Sequence, residues 1–245
     1  MQDDIVAACA KVDHMLPNHE ICDMQDMFCF AALANAVTGT MYTNITSAFP
    51  VCSFKSMQYI FVAYVYDLNA IIVRAMPSCT NAFMVHVFTE VITILKSRGY
   101  LPSLSVMGTK YSTTVKKHTR SKKIDIQLIP PHNHCVNTAE QAISTFKEYF
   151  IAALVSVDIL CPLQLWDGFL PQFKLTLNML CFSQWNPNQS ANQEMYSIFN
   201  FNTTPLVPLG TKALVYDNLA LQTSWALHTT DGFYVESTSN HYRCL

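Results

Sequence analysis

Charged side chains are scarce: Asp, Glu, Lys and Arg make up 13% of the 245 residues, while hydrophobic residues reach 51% and aromatic ones 12%. That is about half the usual charged share and excludes a disordered tail. The length suits one large domain, or one domain with a small appendage, and is enough to bury a sizeable core. A basic excess is also missing. With net charge −2 and pI near 6.4, no global positive field exists, so any nucleic-acid binding must come from local patches. CxxC pairs are absent. The nine cysteines, scattered from Cys9 to Cys244, follow no disulfide framework and read as thiols in a reducing compartment. The first residues, Met1-Gln2-Asp3-Asp4, are acidic and lack the basic start of an export signal, so an intracellular protein, nuclear or cytoplasmic, is expected. Met27 to Phe54 carries no charge, but Asn35, Thr38, Gly39, Thr43, Asn44, Ser47 and Pro50 make it too polar for lipid. No membrane partner is expected.

What charge there is lies unevenly. Between Leu68 and Ile124 stand nine basic residues and one acid, Glu90. The densest run, Lys110 to Lys123, holds Lys110, Lys116, Lys117, Arg120, Lys122 and Lys123, and its sign suits a phosphate backbone. Met41 to Ile45, Met57 to Tyr66 and Ala70 to Met76 are rich in β-branched and aromatic residues between turn formers, which predicts a three-stranded meander. Asn81 to Gly99 predicts a helix with an Asn cap, a basic last turn and a glycine stop. Short strands at Ser103 to Met107 and Ile124 to Leu128 flank the basic run as a short helix. The longest helical pattern runs from Thr138 to about Leu160, with Ile143, Phe146, Phe150, Leu154 and Val157 on one stripe and Pro162 closing it. Another helix fits Leu165 to Leu180. The order is βββαβαβα. After Pro205, short strands at Thr211 to Val215, Gly232 to Val235 and His241 to Cys244 predict a small β appendage that breaks off at Leu245 as if truncated. Residues 1–38 read as an extension, 39–200 as the core and 201–245 as the β module.

Glu140, at the start of the longest helix, has Ser144 and Lys147 on its helical face. A carboxylate and a lysine together suit metal and phosphate. Other groupings are weaker: His132, His134 and Cys135 lack a fourth zinc ligand at finger spacing, and His14, His19, Cys22 and Cys29 are too compressed for one. Trp166, Trp185 and Trp225 read as core or cover residues rather than base-stacking platforms.

Four long segments carry a family pattern: Gly39-Thr-Met-Tyr-Thr-Asn-Ile-Thr-Ser-Ala-Phe-Pro50, Ser56 to Ile72, Asp125-Ile-Gln-Leu-Ile-Pro-Pro-His-Asn-His134, and Asn137-Thr-Ala-Glu-Gln-Ala-Ile-Ser-Thr-Phe-Lys147. With Pro162-Leu-Gln-Leu-Trp-Asp167, Leu175 to Leu180, Thr204 to Gly210 and His241-Tyr-Arg-Cys244, the chain from about Phe28 onward resembles the integrase of long-terminal-repeat retrotransposons. The resemblance implies an α/β fold: a ribonuclease-H-like mixed sheet flanked by helices, followed by a small β-barrel-like appendage. It also implies DNA as partner and self-association. Integrases join DNA ends with two Mg²⁺ or Mn²⁺ ions about 3.5–4 Å apart, held by an Asp, Asp, Glu triad.

Carried over position by position, the resemblance finds one carboxylate of three. The first, in Thr-Asp-x-Thr-Gly, is replaced in Thr43-Asn44-Ile45-Thr46-Ser47 by Asn44. Gly108 stands for the second in Met107-Gly108-Thr109-Lys110, and Lys110 puts a positive charge where the pattern has an acid. The third is kept as Glu140. Asp67 falls on a structural position of the pattern. A neutral amide and a bare glycine reduce the ligand charge from three to one, too little to hold two divalent ions close together. The expectation is an inactive integrase-like protein that binds no metal tightly, with Glu140 as the last metal ligand, and that contacts nucleic acid through Lys110, Lys116, Lys117, Arg120, Lys122, Lys123 and Lys147. A domesticated module binding nucleic acid or protein, and a non-functional relic, are the alternatives.

Overall fold

The computed structural model describes residues 38–108, 111–129, 138–218, 220, 222 and 224–237. Five strands form a mixed sheet: β1 (Thr40–Ile45), β2 (Tyr59–Val65), β3 (Ala70–Met76), β4 (Leu104–Gly108) and β5 (Asp125–Ile129), in the order β3-β2-β1-β4-β5. The first three are antiparallel neighbours, with a tight turn from β2 to β3 and a longer connection from β1 to β2, and β4 and β5 run parallel to β1. Parallel neighbours need a crossover, and helices supply it: α1 (Asn81–Ser97) joins β3 to β4, and α2 (Thr113–Ser121) joins β4 to β5.

Both faces of the sheet are covered, which is why β2 reads as the unbroken apolar run Tyr-Ile-Phe-Val-Ala-Tyr-Val. Phe61, Ala63 and Val65 enter one core with Phe88, Val91 and Leu95 of α1 and Val115 of α2. Ile60 and Val62, pointing the other way, join Phe146 and Phe150 of α3 (Thr138–Val155) and Trp166, Phe169 and Phe173 of α4 (Trp166–Leu180). The α/β class and the order βββαβαβα are those the sequence predicts.

Several boundaries differ. Thr80, not an asparagine, is the N-cap of α1, and its side chain makes no capping bond; Asn81 is already helical. The glycine stop does occur: Gly99 has φ 76°, and Gly99 N–H and Tyr100 N–H donate to Lys96 O and Leu95 O. Helix α3 ends at Val155 rather than near Leu160. There Ser156 Oγ donates to Ala153 O and Asp158 Oδ1 accepts from Leu160 N–H, so side chains compete for the backbone groups a helix would use. A 3-10 turn at Leu163–Leu165 then leads into α4.

After α5 (Ala191–Met195), the C-terminal segment forms a two-stranded antiparallel sheet, β6 (Lys212–Tyr216) with β7 (Thr229–Phe233). The second strand thus starts three positions earlier than Gly232, and the third, His241 to Cys244, lies outside the described residues. The segment is fastened to the α3–α4 core. Tyr234 is buried there and donates through its hydroxyl to Gln172 Oε1, while Gln172 Nε2 donates to Val207 O at 2.7 Å.

Candidate functional site

Strand register decides which sequence candidates can meet. β1 and β4 run parallel with Thr43 opposite Met107, so the next positions, Asn44 and Gly108, fall side by side toward the C-terminal ends of the two strands. Thr43 and Met107 belong to the α1–α2 side, where Met107 is fully buried. Alternation therefore turns Asn44 and Gly108 to the other side, which Val62, the antiparallel partner of Asn44, shares. That is the face covered by α3, and Glu140 lies in the first turn of α3. The three positions named from the family pattern thus lie near the ends of β1 and β4 and at the start of α3, the helix that packs on that face.

Their chemistry is weak for a metal. Asn44 Oδ1 is engaged locally, accepting from the N–H of Ile45 at 2.9 Å. Gly108 contributes no ligand, although a Cβ added there would meet no heavy atom within 4 Å. Among the described residues, no three His, Cys, Asp or Glu side chains group as metal ligands. Between them, Asn44 and Gly108 offer one neutral amide oxygen and no carboxylate.

The basic candidates divide between the two faces. Lys117, Arg120 and Lys123 are exposed on and just after α2, with Lys116 and Lys122 half-buried beside them. Ser112 Oγ accepts from Val115 N–H to start α2, and the buried Val115 and Thr119 turn its cations outward. Thr89 on α1 meets His118 Nε2 at 2.9 Å, fastening the helix to its layer. Burial holds the His118 imidazole below its ordinary pKa, with the charge of Lys122 acting the same way. Lys147, by contrast, is exposed on α3 beyond the opposite face, beside Phe49 and Ile151. Ser144 Oγ donates to Glu148 there. Lys110, His132, His134, Cys135 and the His14, His19, Cys22 and Cys29 group lie outside the described residues.

Asp67 is 3% exposed in the β2–β3 turn, at the opposite end of β1 from Asn44. Its carboxylate accepts from Gly39 N–H at 2.7 Å and from the Tyr100 hydroxyl at 2.8 Å. The tryptophans separate: Trp166 is fully buried and donates to Val51 O, Trp185 partly covers Tyr100, and Trp225 is fully exposed, so it is neither core nor cover. One grouping escaped the sequence reading. Arg98, Lys174 and Tyr196 come together from three separate segments, with the two cations 4.7 and 5.5 Å from the centre of the tyrosine ring. Only tertiary structure brings them together, so no local motif could have marked them.

No family model matches the sequence, and no curated protein does either. Solved structures do match in fold. A chain of the simian T-cell lymphotropic virus intasome, in complex with PP2A regulatory subunit B56 gamma, superposes with a TM-score of 0.51 at 13% identity over 78% of this chain. The present chain spans 65% of that chain's length. The catalytic core domain of BIV integrase aligns at 12% identity with a TM-score of 0.46, covering 64% of this chain and 92% of that one. The mixed five-stranded sheet flanked by helices is an integrase-like fold. Among the described residues no helix is long and apolar enough to cross a membrane.

Proposed function

We propose that this chain derives from the integrase of a long-terminal-repeat retrotransposon, binds nucleic acid through local basic side chains, and does not join DNA ends as it stands. The observation that carries the reading is the placement of Asn44 and Gly108, each one position past the Thr43–Met107 pair of β1 and β4. At adjacent strand ends, where the family pattern has two aspartates, this chain offers an amide occupied by its own backbone and no side chain at all. The ancestral reaction is phosphoryl transfer; Glu140 alone cannot offset the mutual repulsion of two divalent ions. Self-association in the manner of integrases belongs to the same reading, and sedimentation equilibrium checks it.

The decisive experiment is a nicking and strand-transfer assay in Mg²⁺ or Mn²⁺, comparing the natural chain with the Asn44→Asp, Gly108→Asp double variant. The natural chain is expected to be inactive and the variant to cut in a Glu140-dependent manner. Cutting by the natural chain that Glu140→Ala abolishes would defeat the claim of inactivity. A second reading, a module that keeps the fold and uses only its surface, gains from the outward cations of α2. Nucleic-acid binding by a folded chain whose double variant still does not cut favours it.

A further inference from the structure

The cluster of Arg98, Lys174 and Tyr196 opens into a cleft of about 510 Å³ between the end of α1, α4 and the segment 196–206. That volume falls within the range of small-molecule sites. Two features set the cleft apart from the rest of the surface. First, two like charges are held over one aromatic ring, within about a Debye length of each other. Lys174 Nζ also donates to the Tyr196 hydroxyl at 3.5 Å. Among the described residues, neither cation has a carboxylate partner within ion-pair distance, whereas Arg74 and Lys212 do. The ring face attracts each cation, but repulsion between them is left for an anion to relieve.

Second, the remaining walls are mixed and partly built. Leu175, Ile198, Phe199 and Leu206 supply apolar surface, and Phe199 is braced edge-to-face by Phe201 at 4.8 Å. Asn200 Oδ1 accepts from the N–H groups of Asn202 and Thr203, folding the loop that carries Thr203 and Thr204 to the cleft. Glu236 also lines the cleft and, among the described residues, forms no ion pair.

We propose that this cleft binds a small organic phosphate with a flat apolar body, of the size of a nucleoside monophosphate. Two cations match the charge of about −2 on a phosphate monoester near neutral pH, where a carboxylate would satisfy only one of them. The apolar wall takes the flat body, and Thr203 and Thr204 offer hydroxyls to its polar edge. The site is independent of Asn44, Gly108 and the α2 cations, and the inference goes beyond the nucleic-acid reading.

Calorimetric titration of the full chain at low salt tests it, with AMP, adenosine and inorganic phosphate as probes. AMP is expected to bind one to one, and adenosine at least about tenfold more weakly, since it lacks the charge-assisted bonds. Arg98→Gln and Lys174→Gln should each weaken AMP by about tenfold or more. Glu236→Gln should tighten it, because it removes the one repelling charge, and Lys116→Ala with Lys117→Ala should leave it unchanged. Near-UV circular dichroism checks that each variant is folded. No saturable AMP binding by the folded chain overturns the proposal, as does AMP binding that survives both cation substitutions. Binding of a single-stranded oligonucleotide that needs Arg98 and Lys174, without AMP binding, also overturns it and transfers the cleft to nucleic acid.

Discussion

At Gly39 the backbone has φ 75°, and an added Cβ would sit 2.6 Å from Ser103 Oγ. At Gly108 the same atom would meet nothing within 4 Å. The two glycines therefore differ in what they allow. Gly39→Ala should cost about 1–3 kcal/mol through left-handed strain and the clash, whereas Gly108→Asp should shift metal-free stability by less than about 1 kcal/mol. Urea denaturation of the two variants checks the contrast. Nothing in the residues beside either glycine distinguishes them, because the deciding neighbour of Gly39 lies 64 positions away. The family pattern could mark Gly108 as a vacated carboxylate position, but only the fold tells that a Cβ finds open space there. Tyrosines extend the argument to pH. Burial, followed by the hydrogen bond to and charge of Asp67, raises the Tyr100 phenol far above its usual value, and burial pushes Tyr64 up to about 12. A phenol whose folded pKa exceeds its unfolded value of about 10 contributes stability that is intact below that pH and fades above it. Melting temperature should thus fall as pH rises past about 10, and Tyr100→Phe should flatten that fall while lowering stability near neutral pH. An unchanged alkaline limb in the variant would remove Tyr100 from the account.

Elements show where periodicity is informative and where it is silent. Alternation and the three-four spacing marked the strands and helices of the core, because their apolar faces are set by burial on two sides of one sheet. The end of α3 escaped it, since it depends on local bonds such as those of Ser156 and Asp158. The end of α2 was equally hidden: Lys123 sits at φ 62° in the left-handed region, where glycine is at ease. Lys123→Gly should raise stability by up to about 1 kcal/mol while lowering nucleic-acid affinity, a split that a general folding defect could not produce. Thermal melting and a binding titration on the same sample read both. The outer strand β3 is held by α4 in a way the sequence did not disclose. Asn178, 1% exposed, accepts from Ile71 N–H through Oδ1 and donates to Ile71 O through Nδ2, both at 2.8 Å. It covers part of a sheet edge. Asn178→Leu leaves two buried backbone groups unpaired and should cost about 2–4 kcal/mol, measurable as a lower urea midpoint.

Across the whole molecule, three-dimensional charge placement departs from its order along the chain. Lys147, on the helical face of Glu140, is expected to contact nucleic acid together with the basic run, yet the sheet separates them: α2 packs with α1 on one face and α3 lies on the other. Strand register turns Asn44 and Gly108 toward the face on which α3 packs. Charge placement makes a prediction that treats the molecule as one object. Each neutralised phosphate contributes about 0.9 to the slope of log affinity against log salt for duplex DNA. If duplex lies along α2, replacing Lys116, Lys117, Arg120, Lys122 and Lys123 singly by alanine should each reduce that slope by up to about 1. Lys147→Ala should then leave the slope unchanged. A slope that responds to Lys147 and ignores the α2 residues would put the nucleic acid on the face of Asn44, Gly108 and α3, as the proposed integrase descent requires. The two outcomes separate the proposed integrase descent from a surface used in its own right, and fluorescence-anisotropy titrations across a salt series decide between them.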